Sequence, residues 1–305
     1  MKKRQIKGLS QPTSLVALGF EFFEDLNGAQ VTLDKFFDEG GNLFDTAHIY
    51  GGGKTETIFG EWHRKRDIPR SELMVIGKGA HSPECFPEAI GKQLEISLNR
   101  LQTDHVEVYF MHRDNPDVPV AEFVDAMDAE VQKGRIKGPV GGSNWSKERM
   151  DEAIAYAKKA GKTVPGVLSN NFSLAEMIKP FWEGCLPASD DSWKAWFKQT
   201  QIPNFAWSSQ GRGFFTDRAG RDKTEDTEMV EAWYSEKNFG RRDRAYELAA
   251  KLNCNPIHIA LVYVLAQPFQ VVPLIGPRTL AELEDSLSAL EIELTPEDVR
   301  WLEEG

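Results

Sequence analysis

Eight short β-rich runs alternate with helix-patterned segments along the whole chain, and no break in composition divides them. The runs lie near residues 15–20, 42–45, 73–78, 106–112, 138–142, 166–170, 204–208 and 271–275. Between the third and fourth, Ile90, Leu94, Leu98 and Leu101 fall on one helical stripe behind Pro87, a residue suited to a first turn. Phe123, Val124, Met127 and Val131 repeat the stripe and stop before Gly134. Asn255-Pro256 opens a very apolar helix through Ile259, Leu261 and Val264. Thr295-Pro296-Glu297-Asp298 joins a cap, a first-turn proline and two acids, where the helix dipole favours negative charge. Alternation on this scale builds either a closed barrel or a doubly wound open sheet. An open sheet of the dinucleotide-binding kind would carry Gly-x-Gly-x-x-Gly after its first strand, and none is present there. The expected fold is therefore α/β, a (β/α)8 TIM barrel forming a single domain over residues 1–305.

Composition narrows the partners. A net charge of -11 argues against nucleic acid or an anionic membrane, since both select a basic surface. The basic start, Met1-Lys2-Lys3-Arg4, is not followed by an apolar run, so no signal peptide is expected. Stretches of about 18 or more apolar residues, the mark of a transmembrane helix, are absent from the sequence. Cys85, Cys185 and Cys254 are far apart and odd in number, which gives neither a disulfide framework nor a zinc spacing. A cytoplasmic setting and a site without metal are expected. The sequence sets no oligomeric state.

Four polar residues stand at or just past the ends of three successive strand-like runs: Asp45, Tyr50, Lys78 and His112. Because side chains alternate along a strand, Lys78 shares a face with Met74 and Ile76, His112 with Val108 and Phe110, and Asp45 with Leu43. Ionisable groups on an apolar face are costly unless paired. In a barrel the C-terminal strand ends converge on one pocket, so Lys78 and Asp45 can form the pair that makes a buried lysine tolerable. An ammonium beside Tyr50 would favour tyrosinate and fit the phenol to act as general acid toward a carbonyl oxygen, with His112 orienting that carbonyl.

The segment Gly41-Asn42-Leu43-Phe44-Asp45-Thr46-Ala47-His48-Ile49-Tyr50-Gly51, followed by Glu56 and Gly60, resembles the first signature of the aldo-keto reductase family. Ile76-Gly77-Lys78, Met111-His112-Arg113 and Gly142-Ser143-Asn144-Trp145 are similar to its later blocks, in order, and the likeness runs from about Leu15 to the C-terminus. The resemblance implies the same barrel, NAD(P)H-dependent carbonyl reduction and a tetrad of Asp45, Tyr50, Lys78 and His112. It also implies that Ser143 and Asn144 hold the nicotinamide carboxamide and that Trp207, with Ser208 beside it, stacks on the nicotinamide. Near the carboxamide the family often has a glutamine, where this chain offers Ser169.

After the eighth strand, Ile275-Gly276-Pro277-Arg278-Thr279 enters a helix, a common phosphate site in barrels. Gly276 and Arg278 are placed to receive the cofactor phosphate, and Arg278 suits a 2′-phosphate. Glu282 opposes that charge and suits ribose hydroxyls instead. NADP(H) is favoured, with NAD(H) as the alternative.

Phe22, His48 and Trp145 are the candidates for the substrate pocket, and His63, His81, His105 and His258 are read as structural. The aromatic stretch 175–200 (Phe181, Trp182, Trp193, Trp196, Phe197) and the charged stretch 216–243 are long connections on the active face. No long loop follows the last helix, which suits an open, polar site for a small carbonyl, sugar-like by preference. Two other functions compete: a cofactor-sensing regulatory subunit, as in potassium-channel β subunits of this fold, and a redox-neutral keto-sugar epimerase or lyase using bound cofactor.

Overall fold

The computed structural model describes residues 1–305. Two short strands open the chain, β1 (Lys3–Arg4) and β2 (Thr13–Ser14), paired antiparallel. At two residues each they are too short to show the alternation that marks a strand. The next eight are β3 (Ala17–Gly19), β4 (Leu43–Asp45), β5 (Met74–Gly79), β6 (Val108–Met111), β7 (Val140–Ser143), β8 (Val167–Ser169), β9 (Asn204–Ala206) and β10 (Val271–Ile275). They close into one barrel in the order β10-β3-β4-β5-β6-β7-β8-β9. Every expected run thus contains a strand, and the fold is the (β/α)8 barrel.

Packing divides the chain into two compact units. The first holds Met1–Ser169 and Gly276–Leu283. In it Phe44, on β4, sits 5.4 Å from the Phe36 ring and 5.2 Å from those of Phe59 and Trp62, so one strand residue gathers three helix aromatics. Helix Pro87–Leu101 buries the stripe read from its spacing, Ile90, Leu94, Leu98 and Leu101, and helix Val120–Gln132 buries Phe123, Val124 and Met127 of its stripe but leaves Val131 half-buried.

The second unit holds Asn170–Ile275 and Glu284–Gly305. Its core stacks Phe172 on Tyr263 at 6.3 Å and Phe197 on Phe269 at 5.1 Å. Helix Asp191–Thr200 carries Trp193, Trp196 and Phe197 as a mutual aromatic cluster, so these three serve packing. Helix Pro296–Glu304 begins with a full capping box between Thr295 and Asp298. No single helix is long and apolar enough to cross a membrane.

Candidate active site

The first unit builds the tetrad from strand register. Every residue of β5 is buried, and Asp45 at the end of β4 pairs with Ile76. Lys78 is one same-face step further along β5, with an aliphatic stem long enough to bring its ammonium back to Asp45. His112 follows β6, its backbone N–H donating to the Gly79 carbonyl at 2.7 Å. Tyr50 begins a short 3-10 turn, Tyr50–Gly53. The residues leading into it are tied to β5 by the His48 N–H, which donates to the Lys78 carbonyl at 2.8 Å.

Lys78 is the hub. Its Nζ donates to Asp45 Oδ1 at 2.5 Å, to the Thr46 carbonyl at 3.2 Å and to the Tyr50 hydroxyl at 3.2 Å. Three partners satisfy the three donors of a buried ammonium. Burial pushes the Asp45 carboxyl up, and the charge and hydrogen bond of Lys78 oppose that rise. The His112 ring meets the Tyr50 ring edge-on at 5.4 Å. Burial first, then the charges of Lys78, Arg113 and His81, hold His112 well below the ordinary histidine value, so its imidazole is neutral. Its Nδ1 is buried with no hydrogen-bond partner. A polar atom left so costs about 1–3 kcal/mol, and a bound polar group would relieve it.

Cofactor candidates gather in two places in this unit. Ser143 pairs with Ser169 across β7 and β8, and Ser143 Oγ donates to the Ser169 carbonyl at 3.0 Å. The Asn144 N–H reaches the same carbonyl at 3.1 Å, and Asn144 Nδ2 donates to Ser143 Oγ at 3.2 Å. Asn144 holds φ 61°, a left-handed conformation that asparagine tolerates better than most residues and that often marks functional sites. The second place is the loop after β10, where the Arg278 guanidinium lies 4.8 Å over the Phe22 ring and Glu282 Oε2 accepts from the Arg278 backbone N–H at 2.7 Å. In the second unit, Trp207 has a buried Nε1 with no partner and sits 6.2 Å from the Trp182 ring, and Ser208 holds φ 50°.

The donor set fits a nicotinamide dinucleotide. A hydroxyl and an amide side by side match a carboxamide, and a guanidinium engaged only by an aromatic face is open to a phosphate.

One substrate candidate is corrected. Trp145 is fully buried, with Nε1 donating to the Arg113 carbonyl at 3.4 Å and Phe123 6.5 Å away. Its indole fills the space beside Gly142, where an ideal Cβ would stand 2.1 Å from the ring, so it is a core residue. His48, half-exposed, turns its Nδ1 to Ser97 and Arg100 on helix Pro87–Leu101, at 3.4 Å and 3.5 Å, and it stands as a substrate candidate. Phe22 is exposed, and its ring faces Arg278 and Gly276, so it belongs with the cofactor candidates.

His81, read as structural from the sequence, has its ring edge-on to His112 at 4.9 Å. Its place three residues after Lys78 was the available signal. Glu56, fully buried and bonded to Arg100 at 3.1 Å, was quoted only as part of a motif.

A family model described as the Aldo/keto reductase family matches residues 23–304. An uncharacterized oxidoreductase, YrpG, from Bacillus subtilis is 30% identical over 286 residues, covering 88% of this chain and 84% of that protein. A probable aryl-alcohol dehydrogenase of Saccharomyces cerevisiae is 25% identical over 292 residues, covering 89% and 85%. Among solved structures, a thermostable aldo-keto reductase in complex with the inhibitor epalrestat superposes with a TM-score of 0.77 at 23% identity, over 99% of both chains.

Proposed function

The chain belongs to the aldo/keto reductase family of oxidoreductases, and from that premise we propose that it reduces an aldehyde or ketone to the alcohol with NAD(P)H, Tyr50 giving the proton. The observation that carries this reading is the contact of Lys78 Nζ with both Asp45 Oδ1, at 2.5 Å, and the Tyr50 hydroxyl, at 3.2 Å. A phenol held against an ammonium yields its proton more readily, because the cation favours the phenolate left behind. Asp45 keeps the ammonium in place, its Oδ1 accepting from Nζ. His112, neutral and ring-to-ring with Tyr50, is suited to hydrogen-bond a carbonyl oxygen without competing as an acid.

Nicotinamide, when bound, supplies the hydride. Ser143, Asn144 and Ser169 would hold its carboxamide, and Gly276 and Arg278 its phosphate. Trp207, with Ser208 beside it, is carried forward as the aromatic partner of the ring. NADP(H) is favoured for the open guanidinium of Arg278, with Glu282 as the residue that opposes it.

The substrate class proposed is a small carbonyl compound. A cytoplasmic setting is carried forward as part of the proposal. A panel of aldoses, keto-sugars, methylglyoxal and 4-nitrobenzaldehyde, each with NADPH and with NADH, tests the reading. Expected is one alcohol formed per reduced cofactor consumed. Product formed with no net cofactor oxidation favours the epimerase or lyase reading, and cofactor binding without turnover of any carbonyl favours the regulatory one.

A further inference from the structure

Tyr50 stands at the head of a glycine-rich turn. Gly51, Gly52 and Gly53 follow it with φ of 56°, 66° and 99°. Glycine loses more conformational freedom on ordering than any other residue, so a phenol next to three of them needs an outside constraint to stay at the Lys78 ammonium. Arg100, in the last turn of helix Pro87–Leu101, meets this segment at three points. Its Nη1 donates to the His48 carbonyl at 2.9 Å and to Glu56 Oε2 at 3.1 Å. Its guanidinium also covers Gly53, where an ideal Cβ would stand 2.3 Å from Cζ and 2.4 Å from Nη1.

Glu56 explains why an arginine can sit there. A cation at a helix N-terminus opposes the dipole, and helix Lys54–Lys65 begins at this point. The Glu56 carboxylate, in the first turn and fully buried, balances the charge. Close approach of the two helices fixes the geometry from the other side: a Cβ on Gly60 would stand 2.2 Å from the Arg100 carbonyl oxygen.

We propose that Arg100 is a positioning residue for the proton donor, bracing His48–Gly53 from the helix layer so that the Tyr50 hydroxyl stays on Lys78. The proposal rests on the reading of Tyr50 as proton donor. A planar guanidinium can serve a carbonyl and a carboxylate while lying flat on a glycine, and an ammonium can do only part of this.

The test compares full-length wild type with Arg100→Ala, Arg100→Lys, Gly53→Ala and Tyr50→Phe. Hydrogen exchange is followed in the peptide 47–53 without cofactor, and reduction of 4-nitrobenzaldehyde by NADPH gives kcat and KM. Arg100→Ala is expected to speed exchange in that peptide and to lower kcat by about 10-fold or more with KM little changed, since a small misplacement of a reacting group costs up to ~10²-fold. Arg100→Lys should restore part of the kcat, and Gly53→Ala, whose Cβ meets the guanidinium and also strains a φ of 99°, should speed exchange in the same peptide. Wild-type exchange in the peptide for Arg100→Ala overturns the proposal, as does a kcat loss that Arg100→Lys leaves wholly unrestored. Undiminished turnover by Tyr50→Phe would instead overturn the role of Tyr50, while the exchange data still judge the brace.

Discussion

Lys78 Nζ and Asp45 Oδ1 meet at 2.5 Å across neighbouring strands, with side-chain exposures of only 2% and 6%. Removing one member of such a pair leaves the other charge buried and unpaired, a cost of about 3–5 kcal/mol, whereas replacing both is often neutral. Lys78→Met and Asp45→Asn are each expected to lower the denaturant midpoint sharply. The double variant should recover most of that stability and none of the activity. Equal stability losses that simply add in the double variant would mean the two residues are not coupled.

His112 should not titrate in the working range. Held well below the ordinary value by burial and nearby cations, it stays neutral, so kcat/KM should have no inflection from this residue near about 6.5. The sign for stability follows. The unfolded chain takes up this proton at a higher pH than the folded one, so the stabilisation is complete above the unfolded value and is lost as pH falls below it, by up to ~1.4 kcal/mol per unit. His48, His63 and His81 are shifted the same way, chiefly by burial. Denaturant melts from pH 7 to pH 5 should therefore be less steeply pH-dependent in His112→Gln. An inflection near 6.5 in wild-type kcat/KM that vanishes in His112→Gln would contradict this.

Glu282 holds the Arg278 backbone N–H through its carboxylate at 2.7 Å. A 2′-phosphate brought to Arg278 meets that negative charge. Glu282→Gln is expected to tighten binding of 2′,5′-ADP relative to 5′-AMP by about 2- to 5-fold, the scale of exposed charge pairs. Titration by calorimetry needs no turnover. An unchanged ratio would remove Glu282 from cofactor choice.

Trp145 packs as core, with no exposed surface. Trp145→Phe should cost about 1–3 kcal/mol of stability, as expected where a well-filled site is partly emptied, and leave KM for the carbonyl near wild type. A large rise in KM at unchanged stability would return Trp145 to the substrate pocket.

The alternation of apolar runs and helical stripes was enough to read all eight barrel strands, because one-face periodicity is imposed by burial itself. Strand parity likewise put Lys78, Asp45 and His112 on otherwise apolar strand faces. Loop rotamers follow no such period. His48 and Trp145 each lie next to a signature residue, yet one turns to a helix and the other fills the gap beside Gly142. Arg100 was invisible for a related reason: it sits on the polar side of a helical stripe, and only the fold brings it to His48, Glu56 and Gly53. The β1–β2 pair, two residues per strand, is held by register with no pattern to announce it.

The role of Tyr50 as proton donor is tested most directly by kcat for 4-nitrobenzaldehyde reduction in wild type and Tyr50→Phe, with NADPH affinity measured in both by fluorescence titration. Expected is a loss of roughly 10²–10⁴ in kcat, the usual contribution of a general acid, at unchanged NADPH affinity. Turnover by Tyr50→Phe at the wild-type rate would contradict it.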